Sequence, residues 1–242
     1  MTPAIGTLPL IDDELDFLAD LVPLAGREII EIGCGAAGLA RSLLSRYPDS
    51  RVTGLEVDAR QHAKNLATPQ AGITFIAAGG EGIPFPAASF DLALMLKSLH
   101  HVPLPLMAQA LGEVARVLRP AGYLYVSEPV YAGPFNEVVR LFNDEGVVRA
   151  AAQAALDQAL QSGEWDQVAD LRFDTPMLFR DFADFERRIM RAPFAEHRID
   201  DAMLAAVRAA FDAHCGADGA RFVRAMHVRL LRRRGDGAKA CA

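Results

Sequence analysis

Near the start of the chain, Glu31-Ile32-Gly33-Cys34-Gly35-Ala36-Ala37-Gly38 sets a carboxylate two positions ahead of glycines at Gly-x-Gly-x-x-Gly spacing. Glycines let the backbone turn sharply and approach a ligand with no Cβ in the way. The spacing alone fits several adenosine-bearing ligands. Glu31 separates them, because a carboxylate at a strand mouth repels a pyrophosphate but suits a cationic amino-acid end. Glu56, in Val52-Thr53-Gly54-Leu55-Glu56-Val57-Asp58, follows Gly38 by eighteen residues, where an acid can accept both hydroxyls of a ribose. Asp58 is the alternative acceptor, or else the N-cap of the next helix.

A second group of polar residues has types suited to acid–base work. His100 and His101 are adjacent, and imidazole titrates near neutrality, so either could take a proton from an oxygen or nitrogen nucleophile. Packing under neighbouring structure is the competing role for both. Glu128 and Tyr131 lie further along and are the other polar candidates, each able to orient an acceptor instead of deprotonating it.

The elements that must position these residues follow from periodicity. Ile11, Leu15, Leu18 and Val22 fall at helical spacing behind Asp12, which reads as the N-cap. Arg27 to Ile32 reads as a strand, and Ala40, Leu43, Leu44 and Tyr47 mark the helix after the glycines. Strands are expected at Arg51 to Val57, Ile73 to Ala78, Phe90 to Leu96 and Gly122 to Glu128, with helices at Ala59 to Leu66 and around Met107 to Leu118. Alternation of this kind predicts an α/β fold with a doubly wound, mostly parallel seven-stranded sheet. After Val130 the alternation stops. A mostly helical insertion is expected over 130–200, then a helix from Ala202 to His214 and a closing strand at Phe222 to Leu231. One domain is expected over 1–242, with 1–129 as the cofactor-binding core and 201–242 carrying the last helix, the closing strand and a short tail. Asn136, Glu137, Trp165, Phe173, Phe179 and Phe182 fall in the insertion, the aromatics as its own small core.

Composition sets the outer limits. The chain has 242 residues, 51% of them hydrophobic, and a net charge of -6, which argues against nucleic acid as a partner. The run Arg229, Arg232, Arg233 and Arg234 reads as a solvated edge. Cys34, Cys215 and Cys241 are widely spaced and lack any metal-ligand spacing, so a reducing, cytoplasmic setting and no metal are expected. No apolar stretch has the length of a membrane span, and a monomer or homodimer is expected.

In order, Glu31-Ile-Gly-Cys-Gly, Val52-Thr-Gly-Leu-Glu, Gly82-Ile-Pro-Phe-Pro with Ser89-Phe-Asp-Leu, Ser98-Leu-His-His-Val and Val117-Leu-Arg-Pro-Ala-Gly resemble the class I S-adenosylmethionine-dependent methyltransferases. The likeness is to the methyltransferase-11-like branch and covers about Arg27 to Pro129. It implies S-adenosyl-L-methionine as cofactor and methyl transfer to a small-molecule acceptor by in-line displacement. It also implies that Glu31, Gly33, Cys34 and Gly35 lie along the methionine part, that Glu56 holds the ribose, and that Gly38 and Val57 belong to the cofactor-binding set. Gly80 and Glu81 would border the adenine, and Lys97 and Ser98 the sulfonium end. The chain departs from the branch at Gly79, where an aspartate is common, and at Ala121, which replaces a glycine. A nicotinamide-dependent oxidoreductase or epimerase is the alternative, and it lacks its usual Tyr-x-x-x-Lys pair here. A non-catalytic S-adenosylmethionine-binding protein is the other.

Overall fold

In a computed structural model describing residues 8–191 and 199–235, the first helix is α1 (Glu14–Leu21). Its N-cap is Asp13 rather than Asp12, and the Asp13 carboxylate accepts the Leu15 N–H at 2.9 Å. β1 (Glu28–Ile32) follows and is buried along nearly its whole length, as a strand covered on both faces must be. Next come α2 (Gly38–Arg46), β2 (Arg51–Leu55), α3 (Ala59–Ala67), β3 (Ile73–Ile76) and β4 (Phe90–Leu96). Short 3-10 turns at Leu99–His101 and Leu104–Leu106 lead into α4 (Met107–Val117), whose buried stripe is Met107, Ala110, Leu111, Val114 and Val117. β5 (Leu118–Pro129) begins with a bulge opposite β4, between the pairs Phe90↔Leu118 and Leu92↔Tyr123.

The later elements are α5 (Pro134–Val139), α6 (Gly146–Gln161), β6 (Trp165–Phe179), α7 (Phe182–Phe185), a π-helical turn at Glu186–Met190, α8 (Asp201–Asp212), β7 (Cys215–Gly216) and β8 (Gly219–Arg233). The sheet order is β3-β2-β1-β4-β5-β8-β6, and two-residue β7 pairs antiparallel with β8. β1 is parallel to β2 and β4, β2 to β3, and β4 to β5. Order reverses between β1 and β4, and ligands in sheets of this type bind at the strand ends beside that switch point.

β6 corrects the expectation of a mostly helical stretch over 130–200. It ends the sheet, most of its residues are at least partly exposed, and its sequence mixes Asp166, Asp170, Arg172, Asp174 and Pro176 among apolar residues. An edge strand needs no alternating apolar face and tolerates proline, so periodicity leaves no trace of it.

The described residues cluster into two units. A sheet unit takes in Asp13–Glu128, Val148–Leu171 and the described residues from Val228 on. Its core joins Ile30, Ile32, Leu55, Met95, Leu111 and Val126 to Ala152, Leu156, Trp165 and Leu231. Trp165 therefore packs with the sheet and not in a core of the insertion. Arg229 also departs from the solvated edge expected of it. It is buried and donates to Asp157 at 2.6 Å and Gln167 at 2.8 Å, while Arg232 and Arg234 pair at the surface with Asp166.

The second unit comprises the described residues up to Asp12, Pro129–Val147 and Arg172–His227. Its core is rich in phenylalanine, with Phe135, Phe179, Phe182, Phe185, Phe211 and Phe222 packed mostly edge to face. Phe173 is also fully buried. Cys241 and the tail after Gly235 lie outside the described residues.

Candidate functional site

Glu31 stands near the C-terminal end of β1, in register with Gly54 of β2 and Leu94 of β4, so the chain leaves the sheet beside the switch point. Gly33 takes φ +71°, and a Cβ there would lie 2.8 Å from the Ser98 Cβ. Only glycine meets both conditions. The N–H groups of Gly33 and Cys34 donate to the Leu55 carbonyl at 3.0 and 2.9 Å, tying the loop to the end of β2. Ser98 reinforces the tie from β4, its hydroxyl donating to the Ile32 carbonyl at 2.7 Å.

The Cys34 side chain points inward. A Cβ on Gly54 would sit 2.8 Å from its sulfur, so a glycine in β2 makes the space this cysteine fills. Burial, with the Glu31 and Glu56 charges nearby, pushes the thiol up to about 12. At the loop surface Cys34 therefore offers backbone only. Asn65 of α3 supports the same turn, its amide donating to the Gly35 carbonyl at 2.8 Å. Gly35 and Gly38 have open space where a Cβ would stand.

Glu56 is buried and its carboxylate spans the loop, accepting the Gly35 N–H at 2.9 Å on one oxygen and the Asp58 N–H at 2.8 Å on the other. Each oxygen keeps a further lone pair that can accept from a hydroxyl. Asp58 acts as the α3 N-cap, accepting the Arg60 N–H at 2.8 Å. Val57, between the two acids, is 73% exposed, an apolar surface at the strand end. The departure at Gly79 acquires a physical meaning. A Cβ on Gly79 would fall on the Glu81 carboxylate, so that carboxylate occupies the place into which a side chain at 79 would project. Gly80 is buried, and a Cβ on it would press on the Ile32 side chain at 3.0 Å.

Glu31 is the electrostatic oddity of the loop. It is buried, and its Oε2 has no hydrogen-bond partner. Burial pushes its carboxyl up to about 8; Lys97 and the Ala40 backbone oppose the rise, and Glu14 adds to it. Lys97, just past β4, has φ +56° and donates its N–H to the Ser127 carbonyl at 2.7 Å. Its ammonium donates to Glu14 at 3.1 Å, and the Tyr125 hydroxyl donates to the other Glu14 oxygen at 3.1 Å.

The next residues of the same segment carry the second polar group. His100 is buried, and its Nδ1 is hydrogen-bonded to one Glu128 oxygen, while the other accepts the Leu99 N–H at 2.9 Å. The buried Glu128 is thus occupied in fixing a histidine and a turn. His101 is exposed, its ring centroid 4.1 Å from that of His100. Tyr131 belongs to the phenylalanine-rich unit, where its hydroxyl donates to Asp144 at 2.7 Å.

Residues 97 to 101 thus connect three parts of the sheet unit: Lys97 to α1, Ser98 to the glycine loop, and Leu99 with His100 to the end of β5. Sequence reading missed Glu14, Asn65 and Tyr125. Glu14 reads as an ordinary first-turn acid and Asn65 as a helix-surface residue, while Tyr125 sits in an apolar strand run without a motif. Chain separation hides all three, since each acts on residues at least thirty positions away.

A parallel sheet with a switch point between β1 and β4, a glycine loop after β1 and an acid after β2 define a class I methyltransferase fold. Comparison with known proteins agrees. A family profile described as "Methyltransferase domain" matches residues 30–126. Over residues 30–126 the chain is similar to the methyltransferase-11-like branch of the class I S-adenosylmethionine-dependent methyltransferases. It is 33% identical over 122 residues to phthiotriol/phenolphthiotriol dimycocerosates methyltransferase 1 of Mycobacterium ulcerans, covering 48% of this chain and 42% of that protein. It is 34% identical over 110 residues to a fatty-acid O-methyltransferase of Mycolicibacterium smegmatis, covering 43% and 37%. The chain thus spans less than half the length of these two relatives. Among solved structures, the YcgJ protein of Bacillus subtilis superposes with TM-score 0.65 at 17% identity, covering 91% of this chain and 98% of that one. No helix of the described residues is long and apolar enough to cross a membrane.

Proposed function

We propose that the chain transfers the methyl group of S-adenosyl-L-methionine to a small-molecule acceptor. The observation that carries the reading is Glu31, a buried carboxyl with an unpartnered oxygen at the mouth of a loop whose Gly33 admits no side chain. Such a group suits the cationic amino-acid end of the cofactor, Glu56 suits its ribose, and Val57 with Gly80 and Glu81 suits its adenine. Gly33, Cys34, Gly35 and Gly38 contribute backbone alongside Glu31, and Lys97 with Ser98 borders the sulfonium end. When bound, the cofactor supplies a methyl on a positively charged sulfur, which leaves to an aligned nucleophile as the charge is lost.

The tasks left to the protein are alignment, exclusion of water and, for an oxygen or nitrogen acceptor, removal of a proton. His101 is the exposed candidate base, with His100 held beside it by Glu128. Glu128 acts as a positioning residue and Tyr131 remains a candidate for orienting the acceptor. The relative named as a fatty-acid O-methyltransferase favours an apolar acceptor. The net charge of -6 supports a small molecule over a polyanion, and we place the protein in the cytoplasm as a monomer or homodimer.

Labelled S-adenosylmethionine incubated with extracted metabolites tests the reading. Label in an organic-soluble product, lost in Glu56→Ala, is expected. Label found only in RNA or protein would overturn the small-molecule acceptor.

A further inference from the structure

We propose that Glu14, from α1, is a positioning residue of the cofactor site: it holds Lys97 away from Glu31, leaving the Glu31 carboxyl for the cationic end of the bound ligand. The inference rests on reading the glycine loop as an S-adenosylmethionine site. A buried carboxyl near a lysine ordinarily takes it as a partner, because an uncompensated buried charge is costly. Here the lysine is taken elsewhere. Lys97 Nζ donates to Glu14 Oε2 at 3.1 Å, and Glu31 Oε2 stays without a partner.

Two features fix that choice. The Lys97 backbone is pinned at φ +56° by its N–H bond to Ser127, which sets the direction in which the side chain leaves. Glu14 is itself held by the hydroxyl of Tyr125 on β5, a fully buried side chain with no room to follow a shift. The charged groups acting on Glu31 are Lys97 from the end of β4 and Glu14 from α1, with the Ala40 backbone of α2 as a further polar neighbour. With Lys97 engaged by Glu14, its charge only partly offsets the burial of Glu31, whose carboxyl stands at about 8. Near neutrality the free protein therefore presents a neutral carboxyl. A ligand ammonium brought against it favours the ionised form, and the proton leaves to solvent as the ligand binds.

Proton release is a readout that a merely structural Glu14 would not move. S-adenosylhomocysteine is titrated into the full chain by calorimetry at about pH 6.5, where its ammonium is charged, in buffers of different ionisation enthalpy. The wild type is expected to release close to one proton per ligand, and Glu31→Gln none. From about pH 6 to pH 7.5 the wild-type affinity should tighten roughly tenfold per unit.

In Glu14→Gln, Lys97 is free to pair with Glu31, which is then ionised beforehand, so release should fall well under about half a proton. In Glu14→Gln with Lys97→Met no lysine is left to pair, and release should return to the wild-type value. Should Glu14→Gln not fold, Tyr125→Phe removes the hydroxyl that holds Glu14 at nearly constant volume and should lower the release in part. Equal release by wild type and Glu14→Gln, or no recovery in the double variant, overturns the proposal. Ligand binding without proton release in the wild type also overturns it and leaves the cofactor reading standing. Absence of binding overturns both.

Discussion

Replacing Gly33 by alanine tests the loop at its tightest point. Two costs add there. An alanine at φ +71° is in the left-handed region, which costs about 1–2 kcal/mol, and its Cβ meets the Ser98 Cβ at 2.8 Å, a clash that costs about 1–3 kcal/mol more unless Ser98 moves. Ser98 has little freedom, since its hydroxyl is tied to Ile32 and its neighbours to Glu14 and Glu128. A loss of about 2–5 kcal/mol is expected. Gly35→Ala and Gly38→Ala are the controls. Gly35 has φ +52° with open space around it, so only the conformational cost of about 1–2 kcal/mol applies. Gly38 opens α2 with open space, and alanine there should be neutral or stabilising by up to about 1 kcal/mol. Urea unfolding of the three variants should rank Gly33→Ala well below Gly35→Ala, with Gly38→Ala highest. Equal losses at Gly33 and Gly35 would refute the Ser98 contact as the reason for the first glycine.

Glu31 makes stability depend on pH in a stated direction. Its folded carboxyl stands at about 8 against an ordinary 4.5, so the unfolded chain ionises first. The contribution is full below about pH 4.5 and is lost as pH rises toward 8, a change on the order of several kcal/mol. Glu31→Gln should therefore raise the melting temperature at pH 8 and leave it nearly unchanged at pH 4. Ala121 is in the left-handed region at φ +64°, exposed in the bulge of β5, so Ala121→Gly should gain up to about 1 kcal/mol in chemical denaturation. Glu128→Ala strips the buried Leu99 N–H and His100 Nδ1 of their shared acceptor and should lose about 2–4 kcal/mol, whereas Glu128→Gln should lose less. Iodoacetamide at pH 8 should label exposed Cys215 and spare buried Cys34 in the folded protein, as read by peptide mapping.

Much of the sheet unit was legible because strands such as β1 and β4 are predominantly apolar and bounded by turn residues, and helices such as α4 carry a buried stripe. Glu31, Gly33 and Glu56 could be read because local spacing along one strand–loop–helix fixes their placement. Glu14 could not, since its role depends on α1 lying against β4 and β5, a tertiary arrangement that no local pattern encodes. β6 escaped for the opposite reason, as an edge strand has too little buried face to leave a period in the sequence. Ala121 stands out in the sequence as a departure from glycine, and its positive φ shows that the departure carries strain.

The central claim is that the loop after β1 and the acid after β2 hold S-adenosylmethionine. Calorimetric titration of the full chain with that cofactor tests it most directly. Saturable binding to one site per chain is predicted, weakened at least about tenfold by Glu56→Ala, which removes charge-assisted hydrogen bonds to the ribose and to the Gly35 N–H together. Absence of binding by the folded protein, or equal binding by Glu56→Ala, would contradict it.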